Sequence, residues 1–124
     1  MAMLFSAVLA GCHAASERST EQLAQSAKIR FPLDDIRTDG LRGPPDGLVA
    51  VSYEFCVPAS EQVYQEILRI DDGLNIYTGS PGRIGCVTGQ ALIIGETHHP
   101  NWYEVLQELS TLTYVTEFRE CFFE

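Results

Sequence analysis

The chain has 124 residues, 45% of them hydrophobic and 20% charged, which fits one globular domain and excludes a disordered or low-complexity protein. Seventeen Asp and Glu against eight Lys and Arg leave a net charge of −9, so the basic stripe of a phosphate-tracking protein is missing and nucleic acid is not an expected partner. No apolar run approaches the roughly 18 residues of a membrane-spanning helix.

The N-terminus is informative. Met3 to Ala10 is a short apolar stretch, too short to cross a bilayer but suited to the h-region of a signal peptide. It runs into Leu9-Ala10-Gly11-Cys12, which resembles the lipobox of bacterial lipoproteins: an aliphatic residue, two small residues, then a cysteine. The resemblance covers residues 1–12 only, and the residues ahead of it carry no Lys or Arg, where that class has them. It implies a signal peptide over residues 1–11, cleavage before Cys12, and diacylglycerol on the Cys12 sulfur. It also implies a place in the bacterial cell envelope, lipid-anchored and facing the periplasm or the exterior. Residues 14–22 are small and polar, as a tether leaving a membrane should be. Residues 12–47 are thus expected to be a lipidated cysteine and flexible tether, closed by the breaker Pro44-Pro45-Asp46-Gly47.

From residue 48 the pattern changes. Val49, Val51, Tyr53 and Phe55 alternate with Ala50, Ser52 and Glu54, the period-2 signature of a half-buried strand. Ser60 is placed to N-cap a helix carrying Val63, Ile67 and Ile70 on one face, which Asp72-Gly73 ends. Leu74–Thr78 reads as a short strand, followed by a loop rich in Gly and Pro. Ala91–Glu96 is an apolar strand with hydrophobic residues on both faces, as a central strand has. Trp102, Val105, Leu106 and Leu109 mark a second helix, and Leu112–Arg119 a last strand. The order is β-α-β-β-α-β over residues 48–124. That predicts an α+β, ferredoxin-like domain, a four-stranded antiparallel sheet with two helices on one face. A shift of 42 residues superposes Pro58 on Pro100, Val63 on Val105 and Ile67 on Leu109, in register with the two helices.

Four places could carry chemistry. With the first and third strands taken as parallel central neighbours, Cys56 and the run Glu96-Thr97-His98-His99 come to one edge of the sheet. Cys56, Glu96, His98 and His99 are then candidate ligands for zinc or copper, although no Cys-x-x-Cys supports them. The bland alternative makes His98 and His99 polar residues at a helix start and Cys56 a small buried or bridged side chain. The loop Gly79–Gly85 could cradle an anion, but it matches no phosphate-binding fingerprint and reads better as a hairpin connection. With Cys12 lipidated, Cys56, Cys86 and Cys121 remain. Cys86 and Cys121 are the expected disulfide, since Cys56 is placed at the far end of the sheet. Finally, residues 48–124 carry 11 acidic and 3 basic groups, which makes the folded part the acidic part.

No catalytic constellation is visible, and no resident cofactor is expected. The sequence predicts a membrane-anchored, non-enzymatic binding or assembly module, with a protein partner in prospect. A periplasmic metal-binding protein using Cys56, His98 and His99 is the alternative.

Overall fold

The computed structural model describes residues 27–122, so the signal segment, Cys12 and residues 13–26 lie outside the described residues. Among the described residues six strands and two helices follow in order: β1 (Leu41–Arg42), β2 (Val49–Ala50), β3 (Ser52–Pro58), α1 (Glu61–Ile70), β4 (Asn75–Thr78), β5 (Gln90–Glu96), α2 (Trp102–Ser110) and β6 (Arg119–Cys121). β1 and β2 form a small antiparallel pair. The other four make one sheet in the order β4-β5-β3-β6, every neighbouring pair antiparallel. The α+β expectation holds, and this strand order is the split βαβ arrangement.

Local signals explain the elements. The Ser60 side chain accepts from the Val63 N–H at 3.4 Å and starts α1, and the Asp71 N–H reaches the Ile67 carbonyl to close it. α2 has no basic residue in its last turn. A cation arrives from elsewhere: Lys28 Nζ donates to the carbonyls of Ser110 (2.8 Å) and Leu112 (3.1 Å), where the helix dipole is negative.

Along β3 and β5 alternate residues face the helices. Tyr53, Phe55, Val57, Ala91 and Ile93 join Ile67 of α1, Leu106 and Leu109 of α2, and Phe118 in one buried cluster. Val63 and Val105 both pack on this cluster, as do Ile67 and Leu109, so the 42-residue echo is true of the helices. It fails for the strands, which begin 38 residues apart at Ser52 and Gln90.

Three expectations are corrected. First, β3 and β5 are antiparallel, Ser52 facing Glu96 and Pro58 facing Gln90. The crossover through α1 brings β4 back parallel to β3, and the connection from β4 then reverses the chain into β5. Second, the last strand is Arg119–Cys121 rather than Leu112–Arg119. The chain leaves α2 through successive turns, Leu112 N–H to Leu109 O at 3.2 Å and Val115 N–H to Leu112 O at 3.1 Å, which drop Val115 and Phe118 into the core. Third, the described part of the expected tether belongs to the folded body. Phe31 and Ile36 are each 7% exposed within the core, and Ile29 bridges Phe118 in parallel. The Trp102 indole N–H donates to the Arg37 carbonyl at 3.0 Å, and Arg42 pairs with Glu120 of β6.

Thr97 locks that segment to the sheet. Its hydroxyl donates to the Gly40 carbonyl at 2.6 Å and accepts from the Val51 N–H at 3.0 Å, all of it buried. Gly40 must be glycine there: its φ is +86°, and a Cβ would lie 1.6 Å from the Thr97 carbonyl oxygen.

Candidate functional site

The sheet has two faces, and the one away from the helices carries the disulfide. Cys56 of β3 is bonded to Cys86 with a Cα–Cα distance of 5.6 Å, and Cys121 is free. The expected Cys86–Cys121 disulfide is therefore corrected. Antiparallel pairing puts the start of β5, and the loop before it, at the exit end of β3, so Cys86 arrives beside Cys56 instead of a strand length away.

The same geometry dissolves the candidate metal site of the alternative reading. Cys56 faces Leu92, whereas Glu96 faces Ser52 near the opposite end of the pair, and His98 and His99 lie beyond it. The Cys56 sulfur is also used in the disulfide, so it has no thiolate to offer a metal. Among the described residues no group of three or more His, Cys, Asp or Glu side chains is arranged to hold a metal ion.

Through Cys86 the loop between β4 and β5 is fastened across this face. Glu54, which period-2 alternation puts on an open face, is only 2% exposed beneath it. Its Oε1 accepts from the Ile84 N–H at 2.6 Å. Gly82 has φ +62°, and a Cβ there would come within 3 Å of both Leu92 and Glu54, so the loop lies flat only because this residue lacks a side chain. The anion cradle considered for Gly79–Gly85 is accordingly already used, by a carboxylate of the protein itself.

Cys121 lies on the same side of the sheet. Burial pushes its thiol up to about 11, a hydrogen bond to Glu54 and that carboxylate's charge add to the shift, and Arg83 opposes it. The thiolate is the reactive form, so Cys121 should alkylate slowly at pH 8, with the rate climbing until about pH 11. Mass-spectrometric labelling against pH, with free cysteine as reference, checks this. A half-maximal rate near pH 8.5, the value of an ordinary thiol, would contradict it.

A concavity lies at the other end of the sheet. A cleft of about 590 Å³ opens where α1 ends, β4 begins, β5 ends and α2 starts, lined by Leu68, Ile70, Asp71, Asp72, Glu96 and His99 among others. Asp71 is held in place, its Oδ1 accepting from the Gly73 N–H at 2.9 Å. Its Oδ2 is 3.9 Å from His99 Nε2, outside hydrogen-bond distance. Among the described residues two buried side-chain atoms make no hydrogen bond: His99 Nε2 and the Tyr53 hydroxyl. Tyr53 is 1% exposed, and its ring end sits against Gly95, where a Cβ would be 2.8 Å from the hydroxyl. Burial raises the phenol far above its ordinary value, and the charges of Asp71 and then Glu96 raise it further. Both carboxylates line the cleft, whereas the phenol is held neutral in the core against Gly95.

Glu96 and His99 thus meet in one site while Cys56 and His98 do not join them. Asp71 was missed by sequence signals, because it reads as a helix stop. No protein-family model, curated protein or solved structure matches this chain.

Proposed function

We propose that this is an extracytoplasmic binding module, anchored to the bacterial envelope by lipid on Cys12, whose ligand occupies the Asp71–Glu96–His99 cleft. The observation that carries the binding assignment is His99 Nε2, a buried nitrogen without a hydrogen-bond partner, on a residue that lines a cleft of small-molecule size. A buried polar group without a partner costs about 1–3 kcal/mol, which a bound ligand would recover. The compartment is supported by the Cys56–Cys86 disulfide, since such bonds persist outside the reducing cytosol. The protein itself would be the envelope-facing partner of a small molecule, with the membrane reached through its lipid.

Expression in a bacterium with the native N-terminus tests the anchor. The mature chain should lack residues 1–11, partition into detergent and incorporate labelled fatty acid. Cys12→Ser should abolish the labelling. An unprocessed, unacylated wild-type chain would defeat the anchoring half of the proposal.

A further inference from the structure

We infer that the loop between β4 and β5 is a redox-released cover: reduction of the Cys56–Cys86 bond by a dithiol frees it from the sheet and exposes Glu54 and Leu92, and reoxidation puts it back. The device is independent of the cleft at the other end of the sheet. Leu92 is 4% exposed yet stands outside the core cluster, because it shares the helix-free face with Cys56, its partner across the ladder. Its cover is the loop. A Cβ on Gly82 would lie 2.7 Å from Leu92 and 2.9 Å from Glu54, so both side chains sit under one residue. Glu54, 2% exposed, takes the Ile84 N–H at 2.6 Å.

The loop brings nothing to the core in return. No residue in 79–89 is buried, and none belongs to or packs on the cluster between sheet and helices. Much of its hydrogen bonding closes on itself. The Gly85 and Cys86 N–H groups donate to the Pro81 carbonyl at 3.0 and 2.7 Å, and the Gln90 N–H to the Val87 carbonyl at 3.0 Å. A segment with few buried apolar contacts lies at the low-stability end of a fold and opens without the rest. Both cysteines are partly exposed, within reach of a small reductant. Its thiolate attacks one sulfur to give a mixed disulfide, and its second thiol displaces that. Two electrons and two protons pass to the protein, leaving Cys56 and Cys86 as thiols and the reductant as its own disulfide. The oxidised face presents Gly- and Pro-rich backbone; the reduced face presents a carboxylate beside an aliphatic side chain.

The test follows amide exchange by NMR in the full chain, with and without dithiothreitol, while mass after alkylation reports the bond. Reduction should add two alkylated cysteines. The Ile84 amide should then exchange at least about tenfold faster, whereas amides of Ile67 in α1 and Leu106 in α2 keep their protection. Trypsin should cut after Arg83 faster in the reduced chain, and reoxidation should restore both rates. Cys56→Ser with Cys86→Ser should match the reduced wild type, with or without dithiothreitol. Ile84 protection unchanged after the bond opens would overturn the cover, and so would a bond that dithiothreitol leaves closed in the native chain. Helix amides lost together with Ile84, or a double variant that does not fold, would make the bond a staple of the whole domain and overturn it equally.

Discussion

Replacing Phe55 with alanine should cost about 3–5 kcal/mol, the range for emptying an aromatic site in a packed core. Phe55 is fully buried, its ring 4.9 Å from that of Phe118 and 6.2 Å from that of Tyr53, at the point where the sheet meets both helices. Against a domain stability of about 5–15 kcal/mol, a loss of that size leaves little reserve. In urea the midpoint should fall sharply with the slope unchanged. Tyr103→Ala, at a residue 47% exposed on α2, should move it by no more than about 0.5 kcal/mol. Equal effects at the two positions would mean that the core is not where the sheet and helices enclose it.

The second large effect concerns the Cys56–Cys86 bond. Its two ends are 30 residues apart, so removing it with Cys56→Ser and Cys86→Ser together should cost about 3.6 kcal/mol through the larger freedom of the unfolded chain. A native-state loss adds to this. With the loop unfastened, the Ile84 N–H leaves Glu54, and a buried carboxylate loses one of its donors. Reductant should therefore lower the Tm of the wild type and leave that of the double variant unchanged. A wild type indifferent to reductant would show that the bond is not formed in the protein as isolated.

The helices were legible because they announce themselves locally: Ser60 at the cap, and Val63 and Ile67 on one face repeated as Val105 and Leu109. Direction of pairing was not, since it depends on how many times the chain reverses between β3 and β5, and no single residue of either strand records that. One error there carried two others with it. Treating the strands as parallel set Cys56 beside His98 and apart from Cys86, and the antiparallel register exchanges those neighbours. Residues 27–47 were hidden for a different reason. Phe31 and Ile36 are isolated apolar residues in irregular backbone, with no period to detect, and they are buried by what folds over them. Glu54 was obscured likewise, since its cover comes from a loop that only the Cys86 bond holds in place.

The seating of Ile29 against Phe118, with Arg30 N–H to Phe118 O at 2.9 Å and Phe118 N–H to Lys28 O at 2.7 Å, limits where the molecule can work. It holds Lys28 to Arg30 against the body, and so sets an upper limit on any leash. Between Cys12 and Ala27 lie only residues 13–26, a length of chain that spans at most about 50 Å in any conformation. On the proposed anchoring, the domain patrols a shell one or two of its own diameters deep above the bilayer. Within that shell its acidic surface can still stand several Debye lengths, each about 8 Å, clear of the headgroups. A molecule so placed samples what passes close to the membrane and cannot follow it away.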